Sequence, residues 1–463
     1  MVFARKKQYD TIGPFTNSSS IEEKDFVVNS SVRDRRMSSL LNMGSCDVSQ
    51  LKETGTTSTF GAIFIVMNAA LGAAMLNMPY SFYQAGGIPV SLIVEAIFVA
   101  FAYGGLLILG FCAEFDRAGI YQEVMRSMGG KALENFTEIT ILLYAFTSCI
   151  SYMVLAADQG EEILQLIIGY DDYNDHSYLY RKIVVLFMAT CFILPMCLPK
   201  DVSFLQYPSI ICFIACMYVT VLIFISSFSP ISGITINTAP SSALAVLNVV
   251  PTIAFGFQCH VSSVPVYAGL KSRTMKNWSF ITFFSVVLCT IVYSIVGACG
   301  YLTFGNLVTG DILDSFNTKS VTAIIARCVI GISICMTYPV IHFCGRASIE
   351  SLYRKIVGMD EETGRRTWAA RYYIETFGWF ILAVVGAMFV PSINTIIKPI
   401  GAFAALFIVG LPGFSLASAA DRMKSEISIG VYYAMNIAGC IAMVIAAFLF
   451  GQSFTSGLYA IFG

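Results

Sequence analysis

Apolar runs of about twenty residues, parted by short polar segments, fill the chain from Phe60 onward. A hydrocarbon layer of ~30 Å at a helical rise of ~1.5 Å per residue calls for runs of that length. Eleven membrane helices are predicted, near 60–82, 89–114, 134–158, 182–199, 203–228, 244–269, 278–304, 320–346, 372–390, 393–418 and 428–453. The fourth is short and ends in Leu194-Pro-Met-Cys-Leu-Pro199. Residues 1–58 are polar and Ser-rich, and read as a flexible tail with little to bury. With no signal-peptide pattern in that stretch, insertion is expected to start at the first internal span.

Two spans depart from the pattern. Span one holds Asn68, Gly72, Asn77 and Pro79 within one apolar run. Span six reads Pro251-Thr-Ile-Ala-Phe-Gly256-Phe-Gln-Cys-His260, again a glycine among polar groups at mid-membrane. Hydrocarbon offers no partner to a loose backbone group, so such interruptions survive only where they line a protein cavity. Spans one and six open two consecutive groups of five, about 60–228 and 244–418, with helix eleven at 428–453 and a short tail at 454–463. Corresponding breaks in two halves point to an inverted-repeat transporter with its site at the midplane. The plainer reading is that Gly and Pro are simply frequent in membrane helices.

Charge then fixes an orientation. Only 12% of the 463 residues are charged, against roughly 25% in soluble domains, and 56% are hydrophobic. Twenty-three of the 28 Lys and Arg fall on the tail's side of alternate spans, while Arg181, Lys182 and Lys319 fall on the other. The positive-inside rule makes the tail cytosolic and, with an odd span number, the C-terminus lumenal or extracellular. The Asn-x-Ser/Thr sequons at Asn17, Asn29, Asn135 and Asn277 then face the cytosol and should carry no glycan. No cysteine lies in an outward loop, so no structural disulfide is expected.

Several classes are excluded by what is missing. There is no Gly-x-x-x-x-Gly-Lys-Ser/Thr phosphate loop, no Gly-x-Ser-x-Gly elbow and no zincin motif. The three histidines are far apart, so no metal or organic cofactor is expected, and nothing indicates a nucleic-acid partner. The chain is read as a non-enzymatic transporter driven by a sodium or proton gradient, or by exchange. An amino acid sensor that reports occupancy to a cytosolic partner through its tail is the alternative from another class; the tail's Arg33-Asp-Arg-Arg36 and serines are compatible with phosphorylation or anionic lipid, although such runs are usually solvated chain.

The residues themselves resemble a known family. Gly55-Thr-Thr-Ser-Thr-Phe-Gly-Ala-Ile-Phe-Ile-Val-Met-Asn68, Pro251 to Pro265, Tyr338-Pro-Val-Ile-His-Phe-Cys-Gly-Arg346 and Leu449-Phe-Gly-Gln-Ser453 are similar to the sodium-coupled neutral amino acid transporters. These transporters, solute carrier family 38, lie within the amino acid/auxin permease group. Within the family, the run Gly256-Phe-Gln-Cys-His260 looks most like the lysosomal glutamine and asparagine exporters, and a sister branch shares much of it. The resemblance covers about residues 55–453. It implies an all-α, LeuT-like five-plus-five inverted repeat plus an eleventh helix.

It also implies a site. Sodium, as co-transported ion, would lie between spans one and eight on the side chains of Asn68 and Thr337, with the carbonyls of Asn68, Leu71 and Ser333. A neutral amino acid would place its carboxylate on backbone N–H groups of Gly72, Ala73, Ala74 and Met75. Its ammonium would meet carbonyls of Ala70 and of Ala254, Phe255 and Gly256. Phe255, Phe257, Gln258, Tyr144 and Ser148 are the candidate side-chain contacts, although an aromatic on a helix is more often packing. Many relatives have Gly-x-Gly in span one; here Ala74 adds a methyl where the carboxylate should approach. His260 and His342 are read as neutral core histidines, and Glu95 as structurally hydrogen-bonded. The family points to the lysosomal membrane, with the plasma membrane as alternative; Leu40-Leu41 and Tyr9-Asp-Thr-Ile12 are weak sorting patterns.

Overall fold

The computed structural model describes residues 57–72, 74–169, 177–199, 206–390 and 393–462. Residues 1–56 of the tail and Ala73 therefore lie outside the described residues. What is described is helical, apart from a single parallel bridge between Thr57 and Leu270. In chain order the helices are α1 (Thr59–Ala70), α2 (Ala74–Gln84), α3 (Ile88–Phe115), α4 (Tyr121–Ile168), α5 (Ser177–Cys197) and α6 (Gln206–Ser226). Then come α7 (Ala243–Leu247), α8 (Val250–Gly256), α9 (His260–Ala268), α10 (Met275–Phe304), α11 (Val321–Val357) and α12 (Glu361–Phe389). The last are α13 (Ile393–Ala405), α14 (Leu411–Arg422) and α15 (Ile429–Phe462). Nine described helical stretches are long and apolar enough to cross a bilayer, and ten if the bent pair α1 and α2 is one span. A shorter apolar helix covers Ile211–Ser226.

Local sequence explains the ends and interruptions. Ser58 caps α1 by accepting from the Gly61 N–H at 3.1 Å. The α1 ladder stops at Leu71, whose backbone is extended, and α2 leaves at 54° to α1. Pro251 sits in the first turn of α8, where its missing N–H costs nothing. Span ten is carried by α13 and α14 joined through a π-helical turn at Leu406–Gly410. The span predicted at 134–158 is part of a longer helix, α4, that begins at Tyr121 and kinks at Gly130, where φ is +77°. α15 runs on through Phe462.

Packing places the two broken spans at the centre. α8 packs on α13 and on α2; α9 packs on α3 and α4. At Gly401 of α13 any Cβ would lie 2.3 Å from the Pro251 carbonyl oxygen, so only glycine permits this approach of span ten to span six. α4 packs most extensively on α11, and α10 lies against α1, α2, α3 and α6. Ala254, Phe257, Met75 and Met78 are buried in one continuous core. Ile93, Ile214, Phe283, Leu382 and Val444 are exposed around the outside, an apolar belt suited to lipid chains.

Candidate functional site

The first break frees backbone groups without exposing them to hydrocarbon. Leu71 N–H still closes α1 on the Met67 carbonyl at 2.6 Å, and Met75 N–H reaches the Gly72 carbonyl at 3.1 Å. The Ala70 carbonyl accepts instead from the Tyr293 hydroxyl of α10 at 2.7 Å. The same hydroxyl lies 3.1 Å from the Gly256 carbonyl, which ends α8 at the second break. One phenol, fully buried, therefore bridges the carbonyls of the two broken spans. A single O–H proton cannot saturate two carbonyls, so this junction keeps acceptor capacity for a further donor such as an ammonium.

The second break is a tighter turn. Phe257 N–H bonds the Ile253 carbonyl at 3.0 Å, Gln258 N–H the Phe255 carbonyl at 3.2 Å, and Cys259 N–H the Phe257 carbonyl at 3.0 Å. Gly256 lets the chain pack closely there: a Cβ would crowd the Tyr293 ring at 3.1 Å and the Met78 methyl at 3.2 Å. The Phe257 ring meets Tyr293 edge-on at 5.4 Å. Around these breaks, Gln258 Oε1 is buried and has no hydrogen-bond partner among the described residues, and the buried Ser148 hydroxyl lies beside that of Tyr144. Orphaned polar atoms in an interior are costly and mark places where a ligand's polar groups can complete the set.

The remaining predicted contacts fall as follows. Tyr144 packs edge-on against Phe407 of the π turn at 5.6 Å, on the same face of α4 as Ser148 one turn on. Ala70, Ala74, Met75, Ala254 and Phe255 are buried, and Gly72 is half-buried. Thr337 and Ser333 stand one turn apart on α11, where the Thr337 hydroxyl donates to the Ser333 carbonyl at 2.9 Å. Cys212 of α6 lies 3.4 Å from that carbonyl and 3.3 Å from the Thr337 hydroxyl. The next residue, Phe213, packs edge-on against Phe64 of α1, one turn before the half-buried Asn68. α6 thus joins the two helices predicted to share sodium. Pro339 within α11 leaves the Cys335 carbonyl without its helical donor.

Sequence reasoning missed Tyr293 and also Tyr152, whose hydroxyl would lie 3.2 Å from a Cβ on Gly72. The available signal was a phenol in the middle of a span, which must find a polar partner there. His260 bonds the Ala102 carbonyl through Nε2 at 3.1 Å, and Ser294 donates to Glu95 at 3.0 Å, both as structural contacts. His342 stacks on Tyr338 at 5.9 Å.

At one end of the bundle the connection 305–320 folds over the broken spans. Gln159 donates to the buried Asp311 carboxylate at 2.5 Å, and Arg327 reaches Asp314 at 3.0 Å and the Leu313 carbonyl at 2.8 Å. Burial, reinforced by the neighbouring Asp314 charge, pushes the Asp311 carboxyl well above the usual carboxylate range. None of the described residues forms a cluster of three or more His, Cys, Asp or Glu fit for a metal ion.

Two opened helices meeting in the core of a many-span bundle match the build of a membrane transporter. The family described as "Transmembrane amino acid transporter protein" matches residues 55–455, and the chain belongs to it. A zebrafish (Danio rerio) protein, "Sodium-coupled neutral amino acid transporter 7", is 37% identical over 410 residues, covering 88% of each chain. The Homo sapiens protein of that name is 35% identical over 413 residues, 88% of this chain and 89% of the relative. "Solute carrier family 38 member 8" of Homo sapiens is 29% identical over 419 residues, 88% of this chain and 95% of the relative. Among solved structures, that of MhsT in complex with L-phenylalanine is similar with a TM-score of 0.53 at 12% identity, over 85% of this chain and 98% of that one. This likeness supports the LeuT-like fold expected from the sequence.

Proposed function

We propose that the chain moves neutral amino acids, glutamine and asparagine first among them, across the lysosomal membrane by sodium-coupled alternating access. The observation that carries this reading is the paired opening of two helices onto one phenol, with the Ala70 and Gly256 carbonyls facing the same hydroxyl. In the proposal the substrate ammonium joins that carbonyl set, and its carboxylate sits at the start of α2, where first-turn N–H groups and the helix dipole favour an anion. Gln258 offers an orphaned oxygen, and Ser148 a buried hydroxyl, to an amide side chain, which fits a neutral, hydrogen-bonding substrate. Sodium is assigned to Asn68 and Thr337 with the Asn68, Leu71 and Ser333 carbonyls, an all-oxygen set that suits a hard cation. The repeats at 60–228 and 244–418, the added helix and the cytosolic tail belong to the same reading. The names of the sodium-coupled relatives support it.

The test is uptake of labelled glutamine into proteoliposomes across a sodium titration. Asn68→Ala and Thr337→Ala should each raise the sodium concentration for half-maximal uptake at least about tenfold, the loss of one charge-assisted contact. Unchanged sodium dependence in both correctly folded variants rules out the assigned ion site.

A further inference from the structure

Beyond the two breaks, a buried polar network separate from the Arg327 and Asp311 contacts joins the broken spans to the 305–320 connection. Asn77 of α2 is 2% exposed and donates from Nδ2 to the Gly310 carbonyl at 2.7 Å. Its Oδ1 accepts from the Ser81 hydroxyl at 2.9 Å and from the Thr252 hydroxyl of α8 at 2.9 Å. Ser81 and Thr252 are themselves 2.7 Å apart. One side-chain amide therefore ties together the half-helix after the first break, the half-helix before the second, and the connection above them. Pro79, Phe82, Ile253, Ile312 and Leu313 are buried around it. A Cβ on Gly300 would stand 2.5 Å from the Pro79 ring, so the glycine lets α10 pack closely on α2 here.

We infer that Asn77 is a positioning residue for alternating access, the latch that holds the site shut toward the 305–316 side. An amide suits this task. It is neutral, so water can replace each bond at small net cost when the halves part, whereas a buried ion pair would resist separation. It also has a donor end and an acceptor end, and uses one on the connection and the other on α8. Opening toward that side must break both, which couples the movement of the connection to that of the substrate-bearing helices.

The inference rests on the transport reading, but part of its test does not need substrate. Hydrogen exchange is measured on the full-length chain, unaltered, as Asn77→Ala and as Asn77→Asp. Asn77→Asp keeps the acceptor end for Ser81 and Thr252 and removes the donor to Gly310. Exchange over 305–316 should quicken about tenfold in both variants, with α12 and α15 unchanged, as expected for losing a buried hydrogen bond at one locus. In proteoliposomes, the half-saturating glutamine concentration should fall for Asn77→Ala on the 305–316 side and rise on the opposite side, because apparent affinity follows the population of the open form. Unchanged exchange at 305–316 in both variants overturns the latch. So does an equal rise in half-saturation on both sides, the mark of a merely structural role. Absence of any flux in the unaltered chain overturns the transport reading instead, and the exchange result then decides the latch by itself.

Discussion

The two breaks differ although they occupy corresponding places in the chain. At the first, Leu71 is extended and the helix turns through 54°, which leaves the Ala70 carbonyl to a distant phenol. At the second, Phe257, Gln258 and Cys259 close successive short backbone bonds of their own. An open break offers groups to ligands, whereas a satisfied turn offers a rigid edge. The proposed site accordingly puts the ion and the carboxylate at the first break, and at the second the platform that Gly256 and Phe257 build against Tyr293. The role of Tyr293 is to hold these unlike pieces in register, since its ring packs on the second break and its hydroxyl bonds the first.

That contrast can be broken directly. Tyr293→Phe keeps the ring and deletes the hydroxyl, leaving two buried carbonyls short of a donor. Thermal unfolding should show a loss of about 1–3 kcal/mol, and glutamine uptake should fall at least about tenfold, since a buried acceptor left unsatisfied costs its full desolvation. Uptake equal to that of the unaltered chain would separate the two breaks and remove the phenol from the site. A smaller effect sharpens the comparison at the first break. Ala74, buried at the start of α2, carries a methyl where the substrate carboxylate is proposed to approach. Ala74→Gly should lower the half-saturating glutamine concentration by a few-fold, at a stability cost of up to about 1 kcal/mol from the freer backbone. A rise in that concentration would mean that the methyl packs on substrate instead of crowding its carboxylate.

Much of this arrangement was legible in the chain itself. Asn68 to Pro79 and Phe255 to His260 announced the breaks, because polar residues and glycine are hard to place in hydrocarbon otherwise. Hydropathy located every described helix that crosses the bundle, though it could not show that the third span belongs to a helix begun at Tyr121 or that α11 extends to Val357. The partners of the breaks were hidden. Tyr293 stands in an unremarkable apolar run, and Asn77 reaches Gly310 only because the connection 305–320 folds back over α2. Arg327 was visible only as a charge inside a span; its pairing with Asp314 depends on the same fold-back. Such contacts join residues far apart in sequence, and periodicity carries no information about which distant faces meet. The likeness to the MhsT structure supports the fold at 12% identity, which says nothing of individual side chains.

The central claim is that two opened helices form a site for a neutral amino acid whose movement is tied to sodium. The most direct measurement is labelled glutamine uptake into proteoliposomes holding the unaltered chain, with a sodium gradient, with equal sodium on both sides, and with potassium alone. The account predicts transient accumulation above the equilibrium level only under the gradient, because a coupled ion must supply the free energy. Equal uptake in all three conditions, or none in any, would contradict it.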